Sequence, residues 1–88
     1  MSWKVRIDRR AIKELKIVPK PILQRFRLKT DVLAASPEQF KHFALKGEKL
    51  KGFFRLRIGN WRVFCTLDNE NKEVVIWSIK HRSDAYKN

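Results

Sequence analysis

Phe53-Phe54-Arg55-Leu56-Arg57-Ile58-Gly59-Asn60-Trp61-Arg62-Val63-Phe64-Cys65-Thr66-Leu67 is the stretch that decides the fold. Apolar residues alternate at Phe54, Leu56 and Ile58, and again at Trp61, Val63, Cys65 and Leu67. Gly59-Asn60 separates the two runs. Alternation with a two-residue Gly-Asn connector is the signal of a β-hairpin. A two-residue turn also sets the register, so Ile58 faces Trp61, Arg57 faces Arg62 and Leu56 faces Val63. One face of the hairpin is then wholly apolar and covers a core. The other sets Arg57 against Arg62, with Arg55 two residues away. Like charges directly opposite each other destabilise a sheet, so gathering three arginines there points to an anionic ligand.

Working outward, residues 3–7 alternate and read as a first strand, with Trp3, Val5 and Ile7 inward. Asp8 is placed to N-cap a short helix over about residues 9–17, in which Ala11, Leu15 and Val18 recur at helical spacing. Pro19 breaks it. Pro21 fits the first turn of a second helix, where its missing N–H is harmless. That helix is expected over residues 21–35, with Ile22, Phe26 and Leu33 in one stripe supported by Leu23, and Ser36-Pro37 ends it. In residues 38–52, Phe40, Phe43 and Ala44 have the spacing of a helical turn. Lys46, Lys49 and Lys51 surround Gly47 and precede Gly52; they suit either a solvated basic loop or a rail for RNA phosphates. Residues 68–72 are a polar turn. Residues 73–80 form a last strand whose bulkiest set, Val75, Trp77 and Ile79, is expected to face the core. Ser78 and Lys80 then share the arginine-bearing face, and every strand and helix lies before His81. Trp61 and Trp77 read as core residues rather than platforms for bases. The order βααβββ predicts an α+β fold: an N-terminal strand, a helical hairpin, then a three-stranded antiparallel meander, all in one sheet with the helices on one face.

Composition narrows the function. The chain of 88 residues makes one domain, residues 1–88, and 43% hydrophobic content suits a folded protein. Twenty-one Lys and Arg against nine Asp and Glu give a formal charge of +12. Such an imbalance repels itself and favours polyanionic partners, nucleic acid first. Cys65 is the only cysteine, and His42 and His81 are far apart in sequence, so neither a disulfide framework nor a metal set can be built. The N-terminus lacks a signal peptide's apolar run, and no stretch approaches the roughly 20 apolar residues that span a bilayer. The expected location is the cytoplasm.

Beyond the last strand, Lys80, His81, Arg82 and Tyr86 can join the three sheet arginines in one anion site. Guanidinium groups grip phosphate in a bidentate way, and a tyrosine ring offers a surface on which a base stacks. Three segments, Leu45-Lys46-Gly47, Phe54-Arg55-Leu56-Arg57-Ile58-Gly59-Asn60-Trp61-Arg62-Val63-Phe64 and His81-Arg82-Ser83-Asp84-Ala85-Tyr86, resemble the RelE/ParE toxin superfamily in order and spacing over nearly the whole chain. The resemblance implies the toxin of a type II toxin–antitoxin system. In the RelE branch it implies a ribosome-dependent, metal-independent mRNA interferase with no cofactor, in which the ribose 2′-OH attacks the adjacent phosphate and a 5′-OH leaves. Carried over by position, Arg57, Arg62, Lys80, Arg82 and Tyr86 become the catalytic set. Arg55 is carried over with them as an RNA-binding residue; the loop lysines Lys46, Lys49 and Lys51, as a phosphate rail, and His81 are further expected RNA-binding residues.

The chain also departs from that pattern. Some RelE members carry lysine where Arg55 and Arg57 stand here, and arginine is effectively never deprotonated, so neither is a general base. His81 has an intrinsic pKa in the physiological range and is a candidate acid or base; Glu48 and Glu73 are the acidic candidates. The alternatives are a ParE-like toxin that poisons DNA gyrase, a branch that generally lacks the full basic and tyrosine set, and a non-catalytic RNA-binding relative. Either toxin reading implies a cognate antitoxin, acidic to match the +12 charge, docking in apolar grooves beside the helices.

Overall fold

The computed structural model describes residues 3–37 and 53–85, and the predicted hairpin lies within its single four-stranded sheet. The elements are β1 (Lys4–Ile7), α1 (Arg9–Leu15), α2 (Lys20–Ala35), β2 (Phe53–Ile58), β3 (Trp61–Asp68), β4 (Glu73–His81) and α3 (Arg82–Ala85). The sheet order is β1-β4-β3-β2. The last three strands form the antiparallel meander, while β1 pairs parallel to β4 at the far edge. The basic and aromatic positions of residues 38–52 lie outside the described residues.

The hairpin register is the expected one: Leu56 opposite Val63, Arg57 opposite Arg62, Ile58 opposite Trp61. Gly59 has φ of +59°, and Asn60 does not share the left-handed sign. A positive φ at the first central residue alone is the pattern of a type II′ turn, whose twist matches that of the strands. Helix α2 packs on this turn. A Cβ at Gly59 would lie 3.5 Å from both Ile22 Cδ1 and Arg25 Nη1, and the Lys29 ammonium donates to the Arg57 carbonyl at 2.7 Å.

β4 departs from the sequence reading. Its ladder with β3 runs Arg62↔Lys80, Val63↔Ile79 and Phe64↔Ser78, then continues Cys65↔Ile76, Thr66↔Val75 and Leu67↔Val74. Trp77 is the extra residue of a β-bulge. One inserted residue moves every later side chain to the other face. The core set of β4 is therefore Ile79, Ile76 and Val74, not Val75, Trp77 and Ile79. Trp77 is half-buried and donates its indole N–H to Thr66 Oγ1 at 2.8 Å. Val75 is buried but pairs with Thr66, outside the central cluster.

That cluster joins Phe26, Leu33 and Ala34 of α2 and Ala11 of α1 to Phe54, Leu56, Ile58, Val63 and Cys65 of the hairpin. Each fully buried aliphatic side chain contributes roughly 1.5–3 kcal/mol, so the hairpin is held firmly from its apolar side. Helix α1 begins as predicted, with the Asp8 carboxylate accepting from the Arg10 N–H at 3.1 Å. It is shorter than expected. After Leu15 the chain tightens into three-residue hydrogen bonds, Lys16 to Lys13, Ile17 to Glu14 and Val18 to Leu15, before Pro19, which disfavours helix in the residue ahead of it. Helix α2 starts at Lys20 with Pro21 in its first turn and stops at Ala35 before Ser36. Among the described residues, no helix is long and apolar enough to cross a membrane.

The candidate site, a cationic row at one end of the sheet

Three strands bring three cations into one row. Arg57 on β2 pairs with Arg62 on β3, and Arg62 pairs with Lys80 on β4. With strands about 4.8 Å apart, the row is roughly 10 Å across. Arg55 stands two residues along β2 on the same face, opposite Phe64. The next residues of the chain return to the same corner: the Arg82 N–H donates to the Asn60 carbonyl at 2.6 Å. The β4–α3 junction is thereby latched to the hairpin turn. His81 belongs to β4 and Arg82 opens α3, which corrects the expectation that regular structure ends before His81.

The four cations are not equivalent. Arg57 and Arg82 are exposed. Arg62 is only 7% exposed. Its Nη1 donates at 3.0 Å to the carbonyls of Gly59 and Trp61, so the guanidinium folds back and ties the hairpin turn. Its Nε is buried and has no hydrogen-bond partner among the described residues. From sequence, relief of like-charge repulsion predicts that replacing Arg62 leaves stability unchanged or higher. The burial and the two turn contacts reverse that expectation.

Lys80 is held by an acid. Its ammonium lies 2.7 Å from Glu14 Oε2 on α1. Glu14 Oε1 also accepts from the Ser78 hydroxyl at 2.8 Å and the Ile79 N–H at 3.1 Å. Burial alone would raise the Glu14 carboxyl, but the hydrogen bonds from Lys80, Ser78 and Ile79 and the Lys80 charge outweigh it and hold it below the ordinary glutamate range. The sequence reading missed Glu14. Its signal was position: three residues after Ala11 and four before Val18, it lies on the inward stripe of a basic helix.

His81 packs its ring edge-on against Trp61, with centroids 5.3 Å apart. Its Nδ1 accepts from the Ser83 N–H at 3.3 Å and lies 3.1 Å from the Ser83 hydroxyl. A neutral ring that accepts at Nδ1 carries its proton on Nε2. Glu73 sits at the opposite end of β4, roughly 20 Å from Lys80 at about 3.3 Å per residue, where it pairs with Arg6 at 3.7 Å. That separates it from the row as a base. Tyr86, Lys46, Lys49, Lys51 and Glu48 lie outside the described residues.

On the helical side, an open groove of about 410 Å³ is lined by Ile7, Leu15, Leu23 and Phe26, with Lys20, Gln24 and Arg27 among its walls. Ile12, Ile17, Leu28 and Val32 are large apolar residues left exposed on and beside the helices.

Comparison with known proteins agrees with this architecture. The family described as the ParE toxin of the type II toxin–antitoxin system parDE matches residues 5–86. A protein named RelE1 in Methanocaldococcus jannaschii is 33% identical over the whole of this chain and 99% of its own length. Among solved structures, the RelBE2 toxin–antitoxin complex of Mycobacterium tuberculosis holds a chain with a TM-score of 0.78 and 27% identity, covering 96% of this chain and 95% of that one. The archaeal RelE–RelB complex of Pyrococcus horikoshii gives 0.73 and 28%, covering 93% and 97%. The strand order, the helices over one sheet face and these similarities converge, and the chain belongs to the RelE/ParE superfamily of type II toxin–antitoxin toxins.

Proposed function

We propose that this toxin cleaves messenger RNA on the ribosome, with the row of Arg57, Arg62 and Lys80 and the adjoining Arg82 receiving the scissile phosphate. The observation that carries this reading is the register: cations from three strands, plus a fourth latched to the same turn, converge on one corner of a rigid sheet. In the reaction the ribose 2′-OH attacks the neighbouring phosphorus, the P–O5′ bond breaks, and the products are a 2′,3′-cyclic phosphate and a 5′-OH. Charge builds on the non-bridging oxygens, and preorganised cations there are worth most in a site that excludes water. Arg57 and Arg82 are exposed enough to bind those oxygens bidentately. Arg62, buried and tied to the turn carbonyls, adds its fixed positive charge to the row from beneath. His81, with Nδ1 engaged by Ser83, offers Nε2–H as a hydrogen-bond donor to a phosphate oxygen. The family resemblance adds Tyr86 to this proposal, as a surface for base stacking or as a hydroxyl donor.

The partner is a RelB-type antitoxin. Two toxins of known structure that resemble this chain, from Mycobacterium tuberculosis and Pyrococcus horikoshii, were solved as RelBE-type toxin–antitoxin complexes, and the +12 charge suits an acidic protein. The groove between α1 and α2, with an apolar floor and Lys20 and Arg27 on its walls, suits an amphipathic acidic segment. The family match to ParE toxins favours, as second reading, a gyrase poison that cuts no RNA. Programmed ribosomes with primer extension on the message, beside a gyrase supercoiling assay, separate the two. New 3′ ends in the message with unaffected gyrase support the interferase. Intact message with inhibited supercoiling supports the ParE reading.

A further inference from the structure

Strand β1 leaves the edge of β4 early. Its ladder ends at Ile7↔Ile76, closed by the Asp8 N–H donating to the Ile76 carbonyl at 2.8 Å. Beyond Ile76, helix α1 takes the place of a neighbouring strand, and Glu14 is the side chain that reaches across. One carboxylate answers the Ile79 N–H, the Ser78 hydroxyl and the Lys80 ammonium. Two consequences follow from elementary electrostatics. The edge N–H is capped where a further strand would otherwise pair. And Lys80, one end of the cationic row, is fixed and compensated, although its side chain is 45% exposed and long enough to swing toward solvent. A lysine carries three donors on a flexible stem; left unpaired beside Arg62 it would be pushed outward by like charge.

We propose that Glu14 is a positioning residue of the cleavage site. It acts through Lys80, converting a mobile backbone-binding cation into a fixed group at the end of the row. The proposal rests on the interferase reading above. It makes an unusual demand: removing a negative charge from a nuclease that binds a polyanion should strengthen general RNA binding and weaken cutting. A residue that merely stabilised the fold would move neither the salt dependence nor the sign of binding.

The test uses Glu14→Gln, whose amide oxygen still accepts from Ile79 and Ser78, together with Lys80→Met and the double variant. Binding to a single-stranded RNA oligonucleotide is measured against salt, and single-turnover cutting on programmed ribosomes is measured in parallel. Each phosphate neutralised on a single strand contributes about 0.7 to the slope of log affinity against log salt. Glu14→Gln should steepen that slope by roughly 0.7 as Lys80 is released, and lower cutting at least tenfold. Lys80→Met should lower cutting with the slope unchanged, because that cation is already compensated. In the double variant the slope should return to the wild-type value, and cutting should be no lower than in Lys80→Met alone, the mark of two groups acting as a unit. Lys80→Met leaves the other Glu14 contacts in place, so it decides the matter if Glu14→Gln does not fold: a slope about 0.7 shallower than wild type overturns the proposal. Wild-type cutting with Glu14→Gln equal to it in rate and slope also overturns the proposal while sparing the interferase reading. A wild-type protein that cuts nothing on the ribosome removes both.

Discussion

Arg62→Ala tests the structural account where it most contradicts charge counting. Arg62 is 7% exposed, and its guanidinium donates twice at 3.0 Å to turn carbonyls. A hydrogen bond from a charged donor is worth about 1.5–3 kcal/mol. Both bonds leave one nitrogen, and the turn carbonyls regain water in the variant, so a single such bond is the fair estimate of the loss. Relief of repulsion across the Arg57–Arg62 pair returns roughly 0.2–1 kcal/mol, and Lys80 adds little because Glu14 already compensates it. The stem's burial adds a packing loss. The net expectation is a destabilisation of about 2 kcal/mol, or roughly 8–16 °C in Tm for a domain of this size. Thermal melting followed by circular dichroism measures it. Arg62→Met, which keeps the stem, should lie between the two. A variant that melts at or above the wild-type temperature would refute the reasoning and make Arg62 a purely ligand-facing cation. The result also decides how activity is read, since cutting by this variant is informative only below its own melting range.

Other outcomes follow from single features. Gly59→Ala should cost about 1–2 kcal/mol by forcing a Cβ into the left-handed region, since the 3.5 Å neighbours leave ordinary room; a urea midpoint equal to wild type would contradict the turn assignment. Ile76→Ala should cost about 2–5 kcal/mol as a core cavity; a loss below 1 kcal/mol on urea unfolding would mean that the bulge does not turn Ile76 inward. Glu14 has a folded pKa below its ordinary value near 4.5, so its contribution is complete above that value and is lost as the pH falls through the lowered one. Wild-type Tm should therefore drop more between pH 6 and pH 3 than that of Glu14→Gln, and parallel curves would deny the pairing. Burial pushes the Cys65 thiol up to about 12, so a thiol-exchange reagent at pH 8 should react only after denaturation; prompt reaction of the native protein would place Cys65 outside the core.

Much of this fold was legible because its signals are local. Alternation around Gly59-Asn60 specified both the hairpin and its register. Asp8, Pro19, Pro21 and Ser36-Pro37 punctuated the helices close to where they begin and end. What escaped was set by tertiary context. Nothing in a run of Val74, Val75, Ile76, Trp77 and Ile79 tells which residue will be squeezed out as a bulge; the partner strand decides. The cationic row was legible through turn chemistry, which fixes Arg57 opposite Arg62, and through the chain's return at Lys80 and Arg82. The inward folding of Arg62 was not, because the acceptors are carbonyls whose orientation depends on the turn type. Glu14 escaped because its partners are 64 to 66 residues away, a separation at which sequence spacing carries no information.

Whether these cations receive a scissile phosphate is read from the chemical ends of message recovered from programmed ribosomes. Wild-type fragments should bear a 2′,3′-cyclic phosphate on one side and a 5′-OH on the other, with cutting by Arg57→Ala and by Arg82→Ala reduced by at least a hundredfold while both variants melt within about 4 °C of wild type. Fragments carrying a 5′-phosphate, or undiminished cutting by both variants, would contradict that role of the cations.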